Sequence, residues 1–239
     1  MNIRTGTPVS GMRAAVDDLL ATVFPGRCPG CGSRAEPVCA RCEAAMRAAP
    51  PAPPLPGVTW SVAAFAYEGV ARELVARVKY RNERNAVRWL GARVADRCGL
   101  APVAIDIVTW VPASASRRRA RGVDHGALLA RGVGRGIGVP VERLLARDGG
   151  APQTGRPAAE RRAGPALRGS GRAPAGTVLV VDDVVTTGAT LVAAARVLRA
   201  LGATDVLAAT VARTPRPGDA FRTAPYTRPA AVTGSDTGG

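Results

Sequence analysis

Apolar side chains recur along this chain with two periods, and the alternation between them divides it into elements. In residues 11–24 (GMRAAVDDLLATVF), Val16, Leu19, Leu20 and Val23 have the i, i+3, i+4, i+7 spacing of a helix, which Pro25 and Gly26 end. Residues 48–57 (AAPPAPPLPG) hold five prolines in ten positions and read as an extended, semi-rigid linker. An apolar run at 58–67 has strand length. Helical spacing follows at Val70, Leu74, Val75 and Val78 and continues loosely through 86–98. IDIVTWV at 105–111 is a second strand, closed by Pro112. A short helix within 124–138 places Leu128 and Leu129 on one face, and 142–145 suggests a short strand. Residues 149–176 are rich in Gly, Pro and Arg with little periodicity and read as a long mobile loop. TVLVV at 177–181 has the pattern of a strand buried on both faces. A helix over 188–201 carries Leu191, Val192, Ala195, Val197 and Leu198 and stops at Gly202; another strand spans 205–211. The polar stretch 213–239 is expected to be disordered.

Strands alternating with helices predict an α/β domain over 58–212, a mainly parallel sheet flanked by helices. It is preceded by a segment at 1–50 and the linker at 51–57. At 239 residues and 46% hydrophobic, the chain can bury a sizeable core, which excludes wholesale disorder. No run of 18 apolar residues occurs, so no membrane insertion is expected. The first apolar stretch is interrupted by Arg13, Asp17 and Asp18 and has no cleavage site after it, so a cytoplasmic location is expected.

The net charge is +15, and every basic residue but Lys79 is an arginine. Residues 113–172 hold 13 arginines against Asp124, Glu142, Asp148 and Glu160. Such a stretch is either a solvated face or the complement of a phosphate-rich partner, a small diphosphate or nucleic acid. With aromatics at 4%, and none between Val111 and Ala220, base-stacking platforms are lacking there.

Cys28-Pro-Gly-Cys31 and Cys39-Ala-Arg-Cys42 form a C-x2-C-x7-C-x2-C pattern. Each pair can present two thiolates to one ion from a single turn, and two pairs complete a tetrahedron. The spacing predicts a closed structural zinc site in which Arg27, Arg34 and Arg41 offset thiolate charge. Paired disulfides fit a cytoplasmic chain poorly. Cys98 stands apart, as a buried apolar residue. Removing the metal is expected to loosen 1–50 before the rest.

The strongest chemical signal is VLVVDDVVTTGAT at 178–190. A buried strand ends in Asp182 and Asp183, and a Thr/Gly turn opens a helix. Ligands of parallel sheets gather at the carboxyl ends of strands, and a helix N-terminus offers unpaired N–H groups to a phosphate. Thr186, Thr187 and Thr190 add hydroxyls, Gly188 permits close backbone approach, and the two acids suit sugar hydroxyls or Mg²⁺. His125, the sole histidine, is either a general base or a structural residue. Lys79 follows Val78, which excludes a Walker P-loop, and no G-x-S-x-G elbow occurs.

This segment resembles the phosphoribosyl pyrophosphate (PRPP) signature of type I phosphoribosyltransferases. The resemblance implies that Asp182 and Asp183 engage the ribose, with Mg²⁺, and that Thr186, Thr187, Gly188, Ala189 and Thr190 hold the 5′-phosphate. The chain from about 11 to 212 resembles, more narrowly, the ComF family of competence-associated proteins, which joins a four-cysteine module to a phosphoribosyltransferase-like domain. Further matches are Phe65-Ala-Tyr67-Glu-Gly69, Lys79-Tyr80, Val111-Pro112 with Arg117–Arg121, and Gln153 through Glu160-Arg161. Gly122-Val-Asp-His125 and Gly164 depart from the family pattern. Arg117, Arg118 and Arg121 are the expected diphosphate loop. Two functions follow as expectations. One is phosphoribosyl transfer from PRPP to an unknown acceptor. The other is a non-catalytic nucleotide- or single-stranded-DNA-binding module serving DNA uptake.

Overall fold

The structure, a computed structural model, describes residues 27–35, 37–81, 84–113, 124–147, 165–170, 176–216 and 219. The expected helix at 11–24 lies outside them, as does nearly all of the 213–239 tail. In chain order the elements are α1 (Ala40–Ala44), β1 (Trp60–Ala66), α2 (Gly69–Arg81), α3 (Arg84–Cys98), β2 (Ile107–Trp110), α4 (His125–Ile137), β3 (Leu145–Arg147), β4 (Leu167–Gly169), β5 (Thr177–Val185), α5 (Ala189–Ala200) and β6 (Asp205–Arg213).

Four strands form one parallel sheet in the order β1-β6-β5-β2. Strand alternation divides its two faces. Leu179 and Val181 of β5 and Leu207, Ala209 and Val211 of β6 join a core with Leu74, Val75, Leu90, Val94, Leu129 and Val133 of α2, α3 and α4. Val178 and Val180, with Val206 and Ala208, join a second core with Leu191, Ala194 and Leu198 of α5 and Leu144–Leu145. Burying each such Leu or Val contributes about 1.5–3 kcal/mol. The parallel sheet flanked by helices is the architecture the sequence predicts.

Several boundaries move, for physical reasons. β5 runs past the 177–181 run, through the two acids, to Val185, and β6 runs to Arg213, because the ladder continues through Asp182↔Thr210, Val184↔Ala212 and Val185↔Arg213. Pairing, not hydrophobicity, ends these strands. The strand expected at 142–145 is instead β3, three residues long from Leu145, while Val141 makes a single bridge to Val108 at the outer edge of β2. Its antiparallel partner β4 lies inside the stretch expected to be loop. Gly169 of β4 packs so tightly on α5 that a Cβ there would meet Leu201 Cδ2 at 2.7 Å.

The cysteine segment is stitched to this domain. The Arg47 carbonyl accepts from Ala66 N–H at 2.9 Å and Ala49 N–H donates to the Ala64 carbonyl at 3.3 Å, laying 47–49 along the free edge of β1. Cys28, Val38, Cys42 and Met46 sit in the same core as α2 and α3. The proline stretch is anchored by Leu55, which packs with the α5 core and against Gly188. Among the described residues no helix is long and apolar enough to cross a membrane.

Candidate functional site

β2 pairs with β5 as far as Trp110↔Val181, with a last hydrogen bond from Val111 N–H to the Val181 carbonyl at 3.1 Å. Beyond that point β5 has, among the described residues, a paired strand on its β6 side alone, and Asp182 and Asp183 stand on this part of it. The helix after β2 packs on one face of the sheet and the helix after β5 on the other. Strands diverging in this way create a crevice at their carboxyl ends, the usual ligand position in such sheets.

A cavity of about 390 Å³ occupies the crevice. Asp182, Asp183 and Thr190 border it from β5 and α5, Val111 to Ala113 from the end of β2, and Asp124 to Gly126 from the start of α4. Val75, Val78, Val87 and Leu90 of α2 and α3 form an apolar wall. Asp182 is oriented locally, its Oδ1 accepting from Asp183 N–H at 2.8 Å. Asp124 caps α4, accepting from Ala127 N–H at 3.4 Å, and its second oxygen accepts from Trp110 Nε1 at 3.2 Å. Arg147 at the end of β3 reaches the cavity with its Nε bonded to the Pro112 carbonyl at 2.6 Å.

The predicted turn residues divide between the two sides of the loop. Thr190 faces the cavity. Thr186 and Thr187 border a cavity of about 20 Å³ behind the turn, with Ser61, Thr210, Leu55 and Arg213. Thr187 and Ala189 also border an open groove beside Pro54–Pro56. Gly188 has φ +83, a conformation open to glycine, and begins α5; Thr187 Oγ1 accepts from Ala189 N–H at 3.3 Å. Arg117, Arg118 and Arg121 lie outside the described residues. So do Gln153, Glu160 and Arg161.

Sequence reasoning missed Arg147, Asp124 and the α2–α3 wall. Arg147 is one arginine among 13 in its stretch, and nothing local marks it. The helical wall comes from residues whose period shows only that they are buried.

The four cysteines converge as predicted. Their sulfurs all lie within 4.8 Å of one another, and Cys31 Sγ is 3.6 Å from Cys39 Sγ. Tetrahedral zinc with bonds near 2.3 Å needs sulfur separations of about 3.8 Å. Cys39 N–H points at Cys28 Sγ and Cys42 N–H at Cys39 Sγ, both at 3.4 Å, as donors to thiolate. Gly32 takes φ +76 to close the first turn, and a Cβ on Gly30 would sit 2.8 Å from Cys42 Sγ. Hydrogen bonds from Ser33 hold the Cys31 thiol down to about 5, and Arg41 gains proton affinity by bonding to that sulfur. Burial raises Cys42. The chemistry of this donor set fits zinc.

Residues 125–227 match the phosphoribosyl transferase domain family. No curated protein sequence matches the chain. Among solved structures it is similar to the glutamine PRPP amidotransferase from B. subtilis complexed with ADP and GMP, at 22% identity and TM-score 0.38, covering 57% of this chain and 30% of that one. It is also similar to a purine phosphoribosyltransferase from Pyrococcus horikoshii, at 18% identity and TM-score 0.36, covering 54% and 83%. An orotate phosphoribosyltransferase from Aeropyrum pernix aligns at 21% identity and TM-score 0.35, covering 59% and 64%. This chain thus spans less than a third of the amidotransferase. The family match begins at the first residue of α4 and takes in Arg147, both acids and the Thr/Gly turn, so the domain is type I phosphoribosyltransferase-like.

Proposed function

We propose that the crevice binds PRPP and that the protein is of the ComF type. The observation that carries the reading is the pair Asp182 and Asp183, which stand with Thr190 at the carboxyl end of β5 on a cavity of about 390 Å³. In this reading the two carboxylates receive the ribose hydroxyls. Residues Thr186 to Thr190 hold the 5′-phosphate at the start of α5, where first-turn N–H groups have no helical acceptor.

The diphosphate extends toward the end of β2. There Arg147 is pre-oriented by the Pro112 carbonyl, and Arg117, Arg118 and Arg121 follow in sequence. Guanidinium groups match its oxygens in pairs and stabilise charge as it departs. Mg²⁺, held with the diphosphate near the two acids, would supply further charge neutralisation.

Transfer breaks the bond from ribose C1 to the diphosphate oxygen and forms one from C1 to an acceptor nitrogen. Pyrophosphate leaves with the electron pair, and the acceptor gives up a proton. The wall of Val75, Val78, Val87 and Leu90 gives the acceptor an apolar surface and excludes water.

A thermal shift with PRPP and Mg²⁺ tests the site, since binding to the folded chain raises Tm by mass action. The wild type is expected to gain Tm, and Asp182→Asn with Asp183→Asn to lose the gain while staying folded. Retained affinity in the folded double variant rejects the assignment. Release of pyrophosphate with candidate amines then tests turnover. The net charge of +15 favours a second reading, a nucleotide- or single-stranded-DNA-binding module in DNA uptake. Steeply salt-dependent DNA binding without turnover would support it.

A further inference from the structure

We propose that Arg213 is a positioning residue for the 186–190 turn, setting its shape and its affinity for anions from behind. The inference rests on that turn being the phosphate site. Arg213 is the last residue of β6 and only 2% exposed. In the ladder it stands opposite Val185, the residue before Thr186, and Thr214 N–H donates to the Val185 carbonyl at 2.9 Å. Its guanidinium ties three segments together. Nε donates to the Pro50 carbonyl at 3.3 Å in the proline stretch, and Nη2 donates to Asp219 Oδ2 at 2.9 Å. Nη1 is buried with no acceptor among the described residues. Arg213 borders the cavity of about 20 Å³ shared with Thr186 and Thr187, a volume that admits about one water molecule.

A buried cation needs compensating charge and hydrogen bonds. Arg93, the other arginine buried among the described residues, has two carboxylates, Glu43 at 3.1 Å and Asp96 at 3.4 Å. Among the described residues Arg213 has Asp219 alone, and that same Oδ2 also accepts from Arg216 N–H at 2.7 Å. The ion pair is neutral overall, but Arg213 lines the cavity shared with Thr186 and Thr187 and Asp219 does not, so the pair presents its positive end to the turn, where burial leaves that field weakly screened. An anion on the front of the turn benefits from that field. Asp219 subtracts from it.

The sign of two substitutions separates this role from simple support of the fold. Calorimetric titration of the full zinc-loaded chain uses ribose 5-phosphate for the turn, and pyrophosphate with Mg²⁺ for the far end of the site. Arg213→Met is expected to weaken ribose 5-phosphate about tenfold or more and to change pyrophosphate by less than about twofold. Arg213→Lys, keeping charge without the fork, falls between. Asp219→Asn, which leaves the guanidinium charge less neutralised, is expected to tighten ribose 5-phosphate. Equal losses for both ligands, or weaker binding in Asp219→Asn, overturns the proposal. If Arg213→Met does not fold, Arg213→Lys and Asp219→Asn decide it. A wild type that binds pyrophosphate but not ribose 5-phosphate instead refutes the phosphate turn itself, and this proposal with it.

Discussion

Five cysteines in one chain occupy two chemical settings, and the difference is measurable. Cys31 is exposed and its thiol is held down to about 5 by Ser33, whereas burial alone pushes Cys98, in α3, up to about 12. Alkylation requires thiolate and access. In reduced, zinc-stripped protein near neutral pH, mass mapping is expected to find Cys31 modified early and Cys98 only after denaturation. An adduct on Cys98 in the folded chain before one on Cys31 contradicts this. The same contrast shows what single residues reveal in a sequence. The cysteine spacing and the Asp182-Asp183 pair announce themselves because their chemistry demands those residue types close together. Arg147 and Arg213 do not, because in an arginine-rich chain only their positions set them apart: one bonds to the Pro112 carbonyl, the other is buried opposite Val185.

Elements were readable wherever an apolar period ran long enough. β1, α3, β5, α5 and β6 all fall where the pattern puts them, with the ends of β5 and β6 displaced by pairing. β3 and β4 escaped because three residues cannot show a period. The sequence also did not show how α3 and α4 meet. They cross at a seam of small residues, so close that a Cβ on Gly91 would lie 2.9 Å from Gly132 Cα, and one on Gly136 would lie 2.5 Å from Ala95 Cβ. Backbone cannot yield there as a side chain can. Gly91→Ala is expected to destabilise the fold by about 1–3 kcal/mol through overpacking. Arg88→Ala, exposed on the same helix, is expected to stay within about 0.5 kcal/mol. Because α4 presents Asp124 and His125 to the cavity, Gly91→Ala is also expected to weaken PRPP binding in protein that remains folded. Urea unfolding and ligand titration check both parts, and a neutral Gly91→Ala would mean that the two helices can separate freely.

Over the whole molecule, the proline stretch suggested a cysteine module hung on a separate domain, to be loosened first on losing its metal. The packing gives a different expectation. Cys28, Val38, Cys42 and Met46 belong to the core shared with α2 and α3, and a Cβ on Gly30 would meet Val70 of α2 at 3.2 Å. Glu43 of α1 pairs with Arg93 of α3 at 3.1 Å, and that guanidinium lies 5.5 Å from the centre of the Trp89 ring, itself stacked on Phe65 of β1. Metal-binding free energy in such a segment is folding free energy. Zinc on these cysteines would pass it into α2 and α3, whose Val75, Val78, Val87 and Leu90 form the apolar wall of the cavity. Chelation is therefore expected to lower the main transition rather than to add an earlier one. Each kcal/mol lost corresponds to a fall in Tm of roughly 2–4 °C for a chain of this length. PRPP affinity should fall with it and return when zinc is restored. Calorimetry of zinc-loaded and chelated protein, each with and without PRPP, checks the coupling. A small separate transition, with the main Tm and the affinity unchanged, would show instead that the two parts fold independently.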